Sequence, residues 1–354
     1  MINNIKELLI RLTEIPAPTG QESLRAIFIK EWLLDNGISG GTIDDAGNLI
    51  YKKSVDEDKY LLMAAHLDTV FNDEAIKVKE DNNRLLAPGI GDDTSNVAVL
   101  MWWMKEYYND YNRDLLIAFD VGEEGLGNLK GIRAIVDRYG EDIEAAVALD
   151  LTYNVIHNKA VGSSRYKVRV NTEGGHSWHD FGNESAIIKA ADMISKIGKI
   201  KVPDEQLGSL SYNVGTIKGG TSVNTIPSEV EFLMEVRSTN KELMGDYSNK
   251  LLDIVRDAKV ETVGIRPCGI DVDTDKKLYL EQLAEDSITR ITGIMPLYEA
   301  GSMDYNIPLS MGIPSISFGL YDGGLYHTYD EWVDIDSLNK GMIILKEFMS
   351  QYNM

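Results

Sequence analysis

Polar residues able to do chemistry recur where short apolar runs end. His66-Leu-Asp68 closes the run Tyr60–Ala65, Asp120-Val-Gly-Glu123-Glu124 closes Leu115–Phe119, and Asp150 closes Ala145–Leu149. Gly89-Ile-Gly-Asp92-Asp93-Thr-Ser opens a helical stretch, and His327 lies in Gly323-Gly-Leu-Tyr-His327-Thr-Tyr-Asp-Glu331-Trp. Each fragment alone has a plain structural explanation. His66 and Asp68 could form a satisfied buried pair. Asp93 or Ser95 could cap a helix. Gly122–Gly125 could be a solvated turn. A cap accounts for only one of two adjacent aspartates, and burying both is costly unless a cation compensates. Together His66, Asp92, Glu124, Asp150 and His327 form an oxygen and nitrogen donor set that suits zinc, cobalt or manganese. One carboxylate shared by two metals leaves coordination positions open for water and substrate. Two cations about 3.5–4 Å apart can activate a water and clamp a carbonyl oxygen. Glu123 can carry the proton from that water to a leaving amine. Asp68 can accept the second ring N–H of His66 and orient it.

Competing chemistries find less support. There is no His-Glu-x-x-His. Gly125-Leu-Gly127-Asn-Leu-Lys-Gly131 misses the phosphate-cradling Gly-x-Gly-x-x-Gly spacing by one residue. With 35 Lys+Arg against 56 Asp+Glu, the net charge of −21 disfavours nucleic acid and anionic membranes as partners. One cysteine, Cys268, allows no internal disulfide and fits a reducing compartment. Met1-Ile-Asn-Asn-Ile-Lys-Glu lacks the features of a signal peptide. The longest apolar run, Val97–Met104, falls far short of the ~18 residues needed to span a bilayer. The expectation is a cytoplasmic protein without a membrane partner.

The elements that must position these groups follow from pattern. At roughly 150 residues per domain, 354 residues suggest about two domains. Ile5, Leu8, Leu9 and Leu12 mark an amphipathic helix over 4–16, stopped by Pro16-Ala-Pro18-Thr-Gly20. A second helix is expected over Ser23–Asn36, a strand pair over Thr42–Tyr51, and a helix over Ser95–Tyr108. The three apolar runs do not alternate, as for strands buried on both faces of a parallel sheet. Ligands gather at the carboxyl ends of such strands, so three polar clusters at three ends imply one site. From Arg165 the pattern changes to strand Arg165–Val170, helix Ser185–Ile197, strands Leu210–Lys218 and Glu229–Arg237, helix Lys241–Ala258 and strand Val260–Ile265. That β-α-β-β-α-β order is the split βαβ arrangement. We read it as a domain at 163–267 inserted between two parts of a larger one, 1–162 and 268–354.

The ordered segments resemble the dinuclear-zinc exopeptidases and deacylases grouped with peptidase T, carboxypeptidase G, aminoacylase and succinyl-diaminopimelate desuccinylase. Besides the segments above they include Gly174-Gly-His176-Ser, Asn224-Thr-Ile-Pro227, Arg237 and Gly301-Ser-Met-Asp304-Tyr-Asn. The resemblance implies a zinc-exopeptidase-like α/β catalytic domain with a mostly parallel sheet. It also implies an inserted ferredoxin-like α+β lid, through which two subunits form a homodimer. It makes Asp92 the bridging carboxylate, His66 and Asp150 ligands of one metal, Glu124 and His327 ligands of the other, and Glu123 the general acid/base. His176 would stabilise the oxyanion, and Asn224 and Arg237 would hold a substrate carboxylate. The peptide bond between the paired aspartates is often cis in the family. Two departures stand out: Thr94 where a Lys is frequent, and Ser302-Met303-Asp304 for Ser-Thr-Asp. The implied reaction is hydrolysis of an amide bond in small peptides, from either end. The alternative is an N-acyl amino acid deacylase. The implied cofactors are two divalent ions, zinc or else cobalt or manganese.

Overall fold

The computed structural model describes residues 2–55, 59–206, 208–269, 272 and 274–352. The chain divides into two compact units. One comprises Met1–Ala160 and Gly269–Met354, and the other Val161–Cys268.

The larger unit is built on an eight-stranded mixed sheet. Its order is Thr42–Ile43, Leu49–Lys53, Leu115–Asp120, Tyr60–His66, Ile143–Leu149, Ser315–Phe318, Val155–Ala160 and Leu297–Gly301. The neighbours at its centre run parallel. Each central strand feeds both faces. Leu61, Met63 and Ala65 pack with Leu115, Ile117 and Phe119 under the helices Ile2–Thr13, Thr94–Trp103 and Ile335–Gln351. Leu62, Ala64, Leu116 and Ala118 face the other way, toward Ile132, Ile135 and Val136 of helix Lys130–Tyr139. This two-sided burial is the physical reason the runs show no alternation.

Several local expectations need adjustment. The helix expected to Tyr108 is α-helical over Thr94–Trp103 and continues as a π-helical turn over Met104–Tyr108. The helix expected to Ala258 ends at Ile254. The hairpin at Thr42–Tyr51 turns on Asp44, whose Oδ1 accepts the N–H groups of Ala46, Gly47 and Asn48, each at 2.9 Å. Strand Val155–Ala160 carries His157, Asn158 and Lys159 and has no sequence signature of a sheet interior.

The smaller unit is an antiparallel four-stranded sheet in the order Leu210–Gly219, Glu229–Ser238, Gly162–Asn171 and Lys259–Arg266. One face buries Val168, Val170, Phe232, Met234 and Val236 beneath Ala190, Met193, Tyr247 and Leu251 of helices Ala186–Ile197 and Lys241–Ile254. Both helices carry side-chain N-caps. Ser185 accepts from Ile188 N–H at 3.5 Å, and Asn240 Oδ1 accepts from Leu243 N–H at 2.9 Å. The opposite sheet face carries charged residues at alternate positions, including Arg165, Lys167, Arg169, Glu231, Glu235 and Arg237.

Candidate metal centre

Register brings the first donors together. His66 is level with Asp120 on the adjacent parallel strand, and Ala64 with Ala148 on the other side, so Asp150 falls just past the same sheet edge. After Asp120, Gly122 adopts φ 70°, a left-handed conformation that turns the chain and starts the Glu123-Glu124 segment.

Asp92 lies between two imidazoles. Its Oδ1 is 3.0 Å from His66 Nε2 and its Oδ2 is 3.2 Å from His327 Nε2. The same His327 nitrogen is 2.9 Å from Glu124 Oε1. Donor atoms of His66, Asp92 and Glu124 fall within 4.8 Å of one another, as do those of His66, Asp93 and Asp150. Asp92, Glu124 and Asp150 are buried. His327 is open to solvent and has φ 60°, an uncommon conformation for a side-chain-bearing residue of the kind that recurs at functional sites. The Asp92–Asp93 peptide bond is cis.

The electrostatics fit a cation-binding role. Burial raises the Glu124 carboxyl to about 7, with the Asp92 charge adding to it. Burial and then the Asp92 charge raise Asp150. Hydrogen bonds to Asp92 and Glu124 raise His327 to about 11. Burial opposes the charge on His66, but its bonds to Asp68 and Asp92 outweigh burial and raise it. Burial likewise opposes the charge on Asp92, and the two histidines overcome it and lower the carboxyl. So many buried carboxylates around two imidazoles match a site for divalent cations, with His66 common to both groups of donors.

Asp68 acts differently from the simple His–carboxylate pair. The ring Nδ1 of His66 meets the Asp68 main-chain carbonyl at 3.0 Å, while the carboxylate Oδ1 stands at 3.5 Å. That carboxylate is committed elsewhere. Its Oδ1 accepts Glu123 N–H at 3.0 Å, and its Oδ2 accepts Glu124 N–H and the Thr19 hydroxyl, both at 2.9 Å. Asp68 thus orients His66 through its backbone and fixes the Glu123-Glu124 backbone through its side chain.

Three supporting groups carry roles that the sequence did not assign, although Glu331, Asp120 and Asp304 stand within its motif segments. Glu331, four residues beyond His327, accepts the N–H groups of Gly89, Gly91 and Asp92 at 3.0, 2.8 and 2.8 Å. A Cβ at Gly91 would lie 2.8 Å from Glu331 Oε1, so only glycine admits this approach. Arg25 is fully buried. It donates to Leu67 O at 2.8 Å, Thr94 Oγ1 at 3.1 Å and Ile15 O at 2.9 Å. Burial lowers its pKa to about 10, opposed by Asp68 and Asp93, so it stays charged at neutral pH. Its signal was available: Arg25, Ile29 and Leu33 share one helix face at four-residue spacing. Asp120 and Asp304, both buried, form the third support. Burial raises Asp120 to about 8, and burial and then Asp120 raise Asp304.

The smaller unit holds the other candidates. His176 and Thr225 pair across a two-stranded ribbon, and Ser177 N–H donates to Asn224 O at 3.0 Å, so His176 and Asn224 come together. His176 Nδ1 accepts from the N–H groups of Trp178 at 3.2 Å and His179 at 3.4 Å, which puts the ring proton on the exposed Nε2. The Asn224 side-chain oxygen accepts from Ser222 Oγ at 2.8 Å, leaving its NH2 as donor. Arg237 stands on the four-stranded sheet instead, with its Nε bonded to Glu235 Oε1 at 2.9 Å.

Fold and donor set together define a metal-dependent α/β hydrolase whose chain is interrupted by a smaller α+β unit. The chain belongs to peptidase family M20/M25/M40, whose pattern matches residues 62–351. The succinyl-diaminopimelate desuccinylase of Corynebacterium glutamicum is 25% identical, over 96% of this chain and 95% of that one. A tripeptidase structure from Staphylococcus aureus superposes with a TM-score of 0.78 at 21% identity, covering 99% and 98% of the two chains. The Bacillus subtilis YxeP protein, a dinuclear metal-binding peptidase, superposes with a TM-score of 0.64 at 16% identity, covering 98% and 97%. Among the described residues no helix is long and apolar enough to cross a membrane.

Proposed function

We propose that this chain is a dinuclear metallo-exopeptidase that hydrolyses an amide bond in small peptides. The observation that carries the reading is Asp92 set between His66 and His327, with Glu124 bonded to His327. In this reading His66 and Asp150 would hold one divalent ion and Glu124 and His327 another, zinc by preference, with Asp92 serving both. When bound, such ions supply Lewis-acid polarisation of the scissile carbonyl and ready ionisation of a water.

The protein groups have separate tasks. Glu123 takes the proton from the attacking water as the C–O bond forms. It returns that proton to the amide nitrogen as the C–N bond breaks. Asp68 holds the Glu123 backbone during both transfers. His176 offers its Nε2–H to the oxygen that gains charge. Asn224 donates through its NH2, and the Arg237 guanidinium binds the substrate carboxylate. The reading includes a homodimer through the Val161–Cys268 unit, which light scattering tests.

A second reading keeps this chemistry and changes the substrate to an N-acyl amino acid. Likeness to a desuccinylase over nearly the whole chain favours it. Product mass spectrometry separates the two. Zinc- or cobalt-loaded protein is given a tripeptide of three different residues and several N-acyl amino acids, with Glu123→Ala as control. Loss of a terminal residue supports the peptidase and identifies the end attacked. Acyl release alone supports the deacylase. No Glu123-dependent product from either set overturns both.

A further inference from the structure

The outward face of the four-stranded sheet holds a chain of three charged side chains. Arg237 lies between Ser163 and Ser211 on the neighbouring strands, and Glu235, two residues earlier on the same face, lies between Arg165 and Asn213. Arg237 Nε donates to Glu235 Oε1 at 2.9 Å, and Arg165 Nε donates to Glu235 Oε2 at 3.3 Å. Each oxygen of one carboxylate is therefore engaged by a different guanidinium. A carboxylate bound at both oxygens resists rotation, and a guanidinium bound through Nε is held along one edge.

The two arginines differ in access. The Arg165 side chain is 11% exposed and that of Arg237 is 37% exposed. Burial, and then the nearby charges of Arg266 and Arg237, lower the Arg165 pKa, so guanidiniums crowd this face of a strongly acidic chain. The Nε bond of Arg237 leaves the two terminal nitrogens, the end of the group that matches a carboxylate in bidentate fashion, for another acceptor.

The geometry points to Glu235 and Arg165 as positioning residues for Arg237. Arg165 anchors Glu235, Glu235 fixes the inner edge of the Arg237 guanidinium, and the terminal nitrogens form a preset fork for a carboxylate. The inference rests on the reading that Arg237 binds the substrate carboxylate. It deepens that reading by naming what sets selectivity for a free acid. Holding the fork in advance lowers the ordering cost of binding, so the effect belongs in KM rather than kcat.

The test compares one substrate, as its free acid and as its carboxamide, in the zinc-loaded full chain. Arg237→Met should collapse the preference for the acid toward one. Glu235→Gln should raise KM for the acid about tenfold, hold kcat within about twofold and leave the amide unchanged. Arg165→Lys keeps the charge but alters the donor geometry, and should raise the same KM about threefold. Glu235→Gln added to Arg237→Met should change nothing further. If Arg237→Met collapses the preference and Glu235→Gln does not touch it, the positioning role is wrong and the Arg237 reading stands. If Arg237→Met leaves the preference intact, the reading itself fails. A Glu235→Gln enzyme impaired equally on acid and amide would also overturn the positioning role.

Discussion

The donors at the ends of the parallel strands and the candidate groups of the Val161–Cys268 unit are held in opposite ways. Asp92, Glu124 and Asp150 are buried; the Asp92 charge adds to the burial that raises Glu124 and Asp150, while His327 and His66 lower Asp92. His176 and Asn224 are exposed and are oriented by their own loop backbone and a neighbouring serine. A buried acidic cluster is expensive, and the surrounding fold must balance it. Exposed donors cost little and work only where a substrate is present. Chemistry in the larger unit should therefore be coupled to stability, whereas groups in the smaller unit should act on kinetics alone.

The largest expected effect is at Glu123. Glu123→Ala should lower kcat by about 10³–10⁴-fold while zinc affinity, read by competition with a chromophoric chelator, stays near the parent value. Parent-like turnover would remove Glu123 from the reaction. Arg25→Ala comes next. It leaves Asp68 and Asp93 without their buried counter-charge and should cost about 3–5 kcal/mol in urea unfolding. Adding Thr94→Lys brings a cation toward the same spot, since Thr94 Oγ1 is 3.1 Å from the Arg25 guanidinium, and should recover part of the loss. Loss without recovery would mean that packing, not charge, is what Arg25 supplies.

His157 sharpens the contrast within the larger unit. Burial lowers its pKa from 6.5 to about 4. Below pH 6.5 the unfolded chain takes up a proton there that the folded chain refuses. The sign is therefore a loss of stability as pH falls from 6.5 toward 4, amounting to about 3 kcal/mol when complete. His157→Gln should flatten that part of the stability–pH curve, and an unchanged slope would contradict the shift. The smallest effect is at His176. His176→Ala should reduce kcat about 10²-fold with no change in the unfolding midpoint. A drop in the midpoint would make this histidine structural and break the contrast between the two units.

How much could be read in advance follows the same divide. The runs Tyr60–Ala65, Leu115–Phe119 and Ala145–Leu149 are legible as buried strands because both their faces meet helices, which leaves an uninterrupted apolar signature. Their polar ends are legible because ligands collect where parallel strands stop. The β-α-β-β-α-β order of the smaller unit is equally plain, since alternation and helical spacing are local properties. Strand Val155–Ala160 was not, because its pairing with Leu297–Gly301 and Ser315–Phe318 is long-range and its own residues are mixed.

Residue types and their order thus carry the fold class and a candidate donor set, because these depend on periodicity and on what each side chain can bind. Three-dimensional packing alone decides which carboxylate supports which. Asp68 turns its carboxylate to Glu123 and Glu124, Glu331 reaches back to Gly89, Gly91 and Asp92, and Arg25 crosses from another helix to Leu67 and Thr94. These contacts join residues tens to hundreds of positions apart, and a hydrogen bond is set by distance and angle, which no local pattern encodes.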